Sequence, residues 1–190
     1  MQEEKKPVHH AHGGPDQRDF IPLGIAVLTV SDTRTLEDDR SGAVLAERIE
    51  KAGHRLIDRA IVIDDEKLIR EQLQKWLAEE EVDVIITTGG TGLTGRDVTI
   101  EAARGLFEKE IEGFQIAFFL VSWPKIGTSA MQSRATGGVA QGKYIFCLPG
   151  SPGACKDGWD ELLVKQLDYR TRPCNFVEIL PRLDEHLRRT

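Results

Sequence analysis

Two glycine-rich segments carry the residue types that bind phosphate groups. The first reads TTGGTG from Thr87 to Gly92, and the second reads LPGSPG from Leu148 to Gly153. Glycine admits positive φ and lets the backbone approach an anion closely, and hydroxyl side chains donate hydrogen bonds to it. Each segment follows an apolar run and precedes a predicted helix, so free N–H groups and a helix dipole favour an anion there. Two such loops would hold a ligand with two phosphate regions.

Acidic residues follow the first loop and a second apolar run. Asp97 lies beside Arg96, and Glu101 follows one helical turn later, so Asp97 and Glu101 would share a helix face and converge on one cation. The alternative is that Asp97 caps the helix and Glu101 complements its dipole. Asp64 and Asp65 have the same two interpretations, and spacing alone leaves both open.

Other interpretations of the first loop are weaker. Glycine clusters after strands also form simple tight turns. A Walker A loop ends in Gly-Lys-Ser/Thr, which is absent here. Gly90, Gly92 and Gly95 fit G-x-G-x-x-G, but the acids about 20 residues later, Glu110 and Glu112, follow a predicted helix and no strand. A dinucleotide site is therefore disfavoured.

The elements that position these loops alternate between strand and helix. Apolar runs predict strands at LGIAVLTVS from Leu23, RLIDRAIVI from Arg55 and VDVIITT from Val82. Helical spacing predicts helices over 41–51, ending before Gly53, and after Asp64 and Asp65, with Ile69, Leu73, Trp76 and Leu77 on one stripe. A further helix is expected over 97–107.

The second half of the chain continues this pattern. Phe114 to Trp123 is apolar almost all round, which predicts a helix buried in the domain or against another subunit and ended by Pro124. Two strands meet at Gln141-Gly142, and Ser151-Pro152 starts a last long helix. We therefore expect an α/β fold, a three-layer α/β/α sandwich with a mostly parallel sheet. Residues 20–190 would form one domain behind a flexible tail, residues 1–19, in which His9, His10 and His12 are weak metal ligands.

Composition excludes several classes of protein. The 190 residues carry 25 basic and 31 acidic side chains, a net charge of −6, without the basic patch that nucleic acid binding requires. No apolar run is long enough for a membrane span, and MQEEKKPVHHAHGG has no signal-peptide core. Cys147, Cys155 and Cys174 match neither a zinc nor a disulfide pattern. We expect a cytoplasmic protein with no nucleic acid or membrane partner.

Several motifs together resemble one known family. The chain is similar to the molybdopterin-binding family of molybdenum cofactor biosynthesis proteins, and its closing TRPCNF favours the B branch of that family. The matching segments are VLTVSDTR from Val27, DDRSG from Asp38, TTGGTGLTGRDVTIEA from Thr87, EIEGF from Glu110, IGTSAMQSRATGGV from Ile126, LPGSPGACK from Leu148 and TRPCNF from Thr171.

This resemblance implies an activity, a set of partners and an assembly. The activity is Mg²⁺-dependent adenylylation of molybdopterin by ATP, with pyrophosphate released, and the alternative is a carrier that binds molybdopterin without chemistry. The fold of the family forms trimers, often doubled to hexamers, and other molybdenum cofactor biosynthesis proteins are the expected partners.

The resemblance also implies roles for particular residues. Asp97 becomes the essential acid, and Asp65 aligns with the second acid better than Asp64 because a glutamate follows it. Asp97 and Glu101 would hold Mg²⁺. Ser31 and Asp32 would line the same site, and Arg96, Arg134 and Lys143 would offset the ligand charge. Phosphate and pterin would be bound by Thr88, Gly89, Gly90, Thr91, Gly92, Pro149, Gly150 and Ser151.

Overall fold

A single sheet organises the described residues, which are 18–186 in this computed structural model. Its strands are β1 Gly24–Val30, β2 Arg55–Val62, β3 Val84–Thr88, β4 Lys109–Glu110, β5 Thr136–Ala140 and β6 Lys143–Leu148. Their order in the sheet is β2-β1-β3-β6-β5-β4. Pairing is parallel between β1 and β2, β1 and β3, and β3 and β6, and antiparallel where β5 meets β6 and β4. The prediction of a mostly parallel sheet is confirmed.

The central strands β1 and β3 are buried along their whole length because helices cover both faces of the sheet. In β1, Ile25 and Val27 join one buried cluster, whereas Ala26 and Leu28 join the other. This alternation follows from the two-residue period of a strand. Two cores separated by one sheet make the three-layer α/β/α sandwich that the sequence predicts.

Helices are divided between the two faces. On one face lie α1 Arg40–Lys51, α4 Glu112–Ile126 and α5 Pro152–Asp157, which contribute Leu45, Phe118 and Cys155 to the first core. The other face carries α2 Glu66–Ala78 and α3 Thr99–Arg104, which contribute Leu73 and Ala102 to the second. After α5 the chain continues through a π-helical turn, Gly158–Leu163, into α6 Val164–Gln166, and later forms α7 Phe176–Ile179.

Helix ends follow the capping rules. Asp65 accepts a hydrogen bond from Leu68 N–H at the start of α2, and Ser151 does the same for Ala154 N–H at the start of α5. Gly53, with φ of 90°, follows α1 in the left-handed conformation. These three predicted boundaries are confirmed.

Two predicted boundaries were wrong. Pro124 lies inside α4, which continues to Ile126 and ends before Gly127, a residue with φ of 55°. The helix expected from Asp97 begins only at Thr99, because the Asp97 side chain is bonded to the preceding turn. The helix expected after Ser151 is the last long one, since α5, the π-helical turn and α6 follow one another without a break and the later α7 has four residues. The two-residue strand β4 was not predicted, because two residues are too few to show a period.

The predicted tail lies almost wholly outside the described residues, and so do His9, His10 and His12. The tail prediction included Arg18, which is held in place. Its guanidinium donates to Glu178 at 3.1 Å and lies 4.7 Å from the ring centre of Tyr169. Among residues 18–186, no helix is long and apolar enough to cross a bilayer.

Candidate functional site

The two glycine loops lie side by side at one edge of the sheet. Strands β3 and β6 are parallel neighbours with Thr88 opposite Leu148, so the loops that follow them leave the sheet together. Gly89 N–H donates to Leu148 O at 3.2 Å, and Thr88 Oγ1 donates to Pro149 O at 3.0 Å. A Cβ built on Gly150 would lie 3.0 Å from Gly89 Cα. The lack of side chains at both positions therefore permits this close approach.

A cavity of about 220 Å³ opens between the two loops and the end of β1. The start of α1 closes the remaining side, where Ser41 Oγ donates to Gly150 O at 2.7 Å. Four polypeptide segments that begin helices or leave strands thus converge on one cavity. It is lined by Thr29, Val30, Ser31, Arg34, Asp39, Arg40, Ser41, Thr88, Gly89, Gly150 and Pro152.

Asp39 fixes the α1 side of this cavity. Its buried carboxylate accepts hydrogen bonds from Thr29 Oγ1 at 2.7 Å, Gly42 N–H at 2.9 Å and Arg59 Nη2 at 2.8 Å. Burial alone would raise the pKa of Asp39, but these bonds outweigh it and lower the pKa. Asp39 is therefore a charged structural anchor at the start of α1.

Two cationic side chains that the sequence analysis did not select, Arg34 and Arg40, line the cavity. Arg34 is paired with Asp38 at 3.3 Å, whereas Arg40 forms no hydrogen bond or ion pair within the described part of the chain. The signal was present in the DDRSG segment, where Asp39 caps the predicted helix and Arg40 is its first residue. Arg40 therefore places a positive charge at a helix N-terminus, where anions already bind favourably.

Hydrogen bonds to its carbonyl oxygens hold the first loop in place, and two of its N–H groups have no partner among the described residues. Thr99 N–H donates to Gly90 O at 2.9 Å, and Arg134 Nε donates to Thr91 O at 3.2 Å. No hydrogen bond among residues 18–186 uses the N–H of Gly90 or Thr91. Gly90 adopts φ of 61°, a conformation that favours glycine. Free donors on a fixed backbone are what an oxyanion requires.

Asp97 lies against the end of the first loop. Its carboxylate accepts hydrogen bonds from Thr94 N–H at 2.9 Å and Thr94 Oγ1 at 2.6 Å. A Cβ built on Gly92 would lie 2.7 Å from Asp97 Oδ2. The hydrogen bond from the Thr94 hydroxyl lowers the pKa of Asp97 more than partial burial raises it. Asp97 does not cap α3, whose first residue is Thr99. It is a carboxylate held in its ionised form beside the loop.

The geometry reverses the predicted order of Asp64 and Asp65. Asp65 points to its own helix and caps α2, so its prediction as the second acid of the site is not supported by its position. Asp64 instead approaches the first loop, where its Oδ1 would lie 2.7 Å from a Gly90 Cβ. Burial raises the pKa of Asp64, and the negative charges of Asp97 and Asp32 raise it further. Asp64 therefore belongs to the cluster and Asp65 to the helix.

Ser31 and Asp32 take separate positions at the end of β1. Ser31 lines the cavity, and its Oγ accepts from the N–H groups of Thr33 and Arg34. Asp32 Oδ2 pairs with Arg96 Nη2 at 2.5 Å, while its Oδ1 accepts from Asp64 N–H at 3.1 Å. Arg96 is thus bound to an acid in this conformation.

Two predicted site residues have other partners. Both Glu101 oxygens accept from the Arg134 guanidinium at 2.8–2.9 Å, and this interaction lowers the pKa of Glu101. Because Asp97 also precedes α3, the predicted metal-binding pair of Asp97 and Glu101 on one helix face is not formed. Lys143 starts β6 and lies at the opposite edge of the sheet, where its ammonium group donates to Trp76 O and Glu79 O. It cannot offset the charge of a ligand at the loops.

The carboxylates suit a cation that shares its ligands with a bound phosphate. The described residues contain no cluster of three or more metal-ligating side chains. Asp64 and Asp97 nevertheless lie against the same loop, each with a carboxylate oxygen 2.7 Å from where a Cβ on Gly90 or on Gly92 would be. Mg²⁺ commonly takes one or two carboxylates together with phosphate oxygens. These two residues fit that donor set.

Comparisons with known proteins agree on one family. A family model described as a probable molybdopterin binding domain matches residues 26–169. Molybdenum cofactor biosynthesis protein B of Escherichia coli (strain K12) is 49% identical over 158 residues, which cover 83% of this chain and 93% of that protein.

Solved structures give the same result. A crystal structure of molybdenum cofactor biosynthesis protein B is similar with a TM-score of 0.76 and 38% identity, and the match covers 91% of this chain and 100% of that chain. The tungsten cofactor synthesizing protein MoaB from Pyrococcus furiosus is similar with a TM-score of 0.69 and 34% identity, covering 76% of this chain and 92% of that chain.

Proposed function

This chain belongs to the molybdopterin-binding family, and from that membership we propose that it adenylylates molybdopterin with ATP. The family supports a role in molybdenum cofactor biosynthesis. In the proposed reaction, a terminal phosphate oxygen of molybdopterin attacks the α-phosphorus of ATP. A new P–O bond forms, the bond between the α-phosphorus and the bridging oxygen breaks, and pyrophosphate leaves with that oxygen.

The observation that carries this proposal is the shared cavity between the two glycine loops. Adenylyl transfer brings two phosphate-bearing substrates together, so it needs donors that face both of them. Beside the cavity-lining Gly89, the N–H groups of Gly90 and Thr91 are free, and in the second loop the N–H groups of Gly150 and Ser151 have no partner among residues 18–186. Phosphoryl-type transfer asks a protein mainly for positioning and charge stabilisation, which this arrangement supplies.

Charge complementarity supports the same proposal. The chain is acidic overall, yet the cavity presents Arg34 and Arg40. Arg40, without a partner in the described region, would bind a phosphate oxygen. Asp97 and Asp64 would hold Mg²⁺ together with the phosphates, and the bound ion would supply charge neutralisation to the departing pyrophosphate.

We also propose that the chain acts as a homotrimer or a larger assembly. The outer side of α4 exposes Ile116, Leu120 and Trp123, and Met131 follows in the next turn. Contiguous exposed apolar residues of this kind mark interaction surfaces. A second copy of the chain would cover them.

Pyrophosphate release tests the proposed reaction. The protein is mixed with ATP, Mg²⁺ and molybdopterin, and both pyrophosphate and the adenylylated product are measured. We expect Asp97→Asn to reduce the rate on the order of 100-fold, because the group that supports the metal loses its charge, and to keep most of the affinity for molybdopterin. Asp160→Asn serves as a control, since Asp160 is exposed and paired with Arg48.

A carrier would give a different result. If the wild-type protein binds molybdopterin but releases no pyrophosphate, and Asp97→Asn has no effect, the protein carries molybdopterin without chemistry and the adenylylation proposal is wrong.

A further inference from the structure

Thr99 combines full burial with an unused hydroxyl. The residue is 0% exposed, and its Oγ1 has no hydrogen-bond partner among the described residues. Burying a hydroxyl without a partner costs free energy, so such a group in a native protein calls for an explanation. The N–H of the same residue is already used, because it donates to Gly90 O at 2.9 Å.

The hydroxyl faces the back of the first glycine loop. A Cβ built on Gly90 would lie 2.2 Å from Thr99 Oγ1 and 2.7 Å from Asp64 Oδ1. Both oxygens therefore occupy the side of Gly90 that has no side chain. Any residue larger than glycine at position 90 would separate them.

The Asp64 carboxylate, in turn, lacks a strong hydrogen-bond donor among the described residues. The only N–H that reaches its carboxylate in the described part of the chain is that of Val98, at a long 3.5 Å. A half-buried carboxylate with so weak a donor can accept a further hydrogen bond. The unpartnered Thr99 hydroxyl and the weakly bonded Asp64 carboxylate therefore lie on the same side of Gly90.

We propose that Thr99 is a positioning residue for the first glycine loop, and that its hydroxyl donates to the Asp64 carboxylate when a nucleotide phosphate occupies the loop. The inference rests on the proposed function, because the ligand that selects this arrangement is ATP. A phosphate drawn to the free N–H groups of Gly90 and Thr91 pulls on the loop that Thr99 and Asp64 support. The new hydrogen bond then stabilises the bound state and is absent from the free protein.

In this role the Thr99 hydroxyl contributes to ATP binding and not to the stability of the free protein. Thr99→Val keeps the shape of the side chain and removes the hydroxyl. Because the hydroxyl has no partner within residues 18–186 of the free protein, we expect the Tm without ligand to stay the same or rise. In the bound state a hydrogen bond to a charged group is lost, so we expect ATP to bind about tenfold more weakly.

The experiment measures the Tm of each variant without ligand and the Kd for ATP with Mg²⁺ by calorimetry. Thr99→Ser keeps the hydroxyl and should bind ATP nearly as well as wild type. Thr99→Ala lacks the same methyl group as Thr99→Ser, so this second pair isolates the hydroxyl even if Thr99→Val fails to fold. Thr128→Val, on the exposed segment after α4, controls for a general effect of the substitution.

The outcomes are distinct. A lower Tm without ligand, combined with an unchanged Kd in Thr99→Val, would show that Thr99 has only a structural role and would overturn this inference while leaving the proposed function intact. Failure of the wild-type protein to bind ATP would overturn both.

Discussion

Asp64 and Asp65 are adjacent in the sequence, yet only one of them reaches the candidate site. Asp65 takes the N-cap position of α2 because its backbone is extended and its side chain turns to Leu68 N–H. Asp64 is one residue earlier and therefore points the other way, toward Gly90. The resemblance to the family motif favours Asp65, whereas the position of the carboxylate favours Asp64. Spacing alone could not decide this, since capping and catalysis use the same residue type.

His54 provides a pH-dependent contribution to stability away from the candidate site. It is 5% exposed, and its Nδ1 accepts from Leu23 N–H at 3.1 Å. Burial lowers the pKa of His54 below its ordinary value, and the weaker effects of Asp168 and Asp83 oppose the shift. Folding thus favours the neutral ring, and protonation would remove the acceptor from Leu23.

The sign of the pH effect follows from this shift. The unfolded chain binds the proton of His54 at a higher pH than the folded protein does, so the contribution is fully present above about pH 6.5 and is lost as the pH falls below it. We expect the free energy of unfolding to decrease by up to about 1.4 kcal/mol per pH unit there. His54→Gln, which keeps an acceptor but does not titrate, should flatten this slope in urea unfolding between pH 7 and 5. Equal slopes in both proteins would refute this assignment.

The loops work as a pair because two strands deliver them to one place. Parallel pairing of β3 and β6 places Thr88 beside Leu148, and the absence of a Cβ at Gly150 lets the two backbones touch. Adjacent loops were predictable from the sequence, because apolar runs followed by glycine loops indicate parallel strands that end at the same edge. The contribution of α1 was not predicted, since nothing in its spacing shows that Ser41 reaches Gly150.

Gly150→Ala tests the contact between the loops. The added Cβ would lie 3.0 Å from Gly89 Cα, so the loops must separate by a few tenths of an ångström. We expect roughly tenfold weaker ATP binding with little change in Tm, measured by calorimetry and thermal unfolding. Gly113→Ala is the matched control, because nothing lies within 4 Å of its added Cβ. Unchanged ATP affinity in Gly150→Ala would show that the contact between the loops does not shape the site.

Gly89→Ala should behave differently from Gly150→Ala. Gly89 adopts φ of 94°, and its added Cβ would lie 2.2 Å from Val30 O in the sheet. This change strains the backbone itself, so we expect a clear loss of Tm.

Long elements with a clear apolar pattern were predictable from the sequence, and features that depend on single contacts were not. Continuous apolar runs predict the strands β1 and β3, and helical spacing predicts the apolar stripe of α2. Lys143 was misplaced although the sequence puts it at the start of the strand whose other end carries the second glycine loop, so its distance from the loops was predictable. Glu101 and Asp97 were paired on a helix that starts two residues later than predicted.

At the scale of the whole molecule, α4 faces both the core and the surface. Phe114 and Phe118 pack into the first core, whereas Ile116 and Leu120 are more than half exposed. The sequence shows only that the helix is apolar all round, which fits either a buried helix or a subunit contact. A helix buried within the domain would have no exposed apolar side. The exposed apolar side of α4 therefore fits the proposed subunit contact.

Leu120→Glu tests this assembly. Leu120 is 64% exposed, so the substitution should leave the fold of each chain intact and place a charge within the proposed contact. We expect wild type to sediment as a trimer or larger and Leu120→Glu to shift toward the monomer. Leu68→Glu, on α2 in the opposite layer, should leave the assembly unchanged. A wild-type protein that is monomeric at micromolar concentration would contradict the proposed assembly.

The central claim is that the two glycine loops form one phosphate site beside Asp97 and Asp64. A crystal structure of the protein with ATP and Mg²⁺ tests it most directly. The account predicts that the phosphates lie between Gly90–Thr91 and Gly150–Ser151, with the metal ion within reach of Asp97. Nucleotide phosphates bound at another edge of the sheet, or a metal ion held away from both carboxylates, would contradict it.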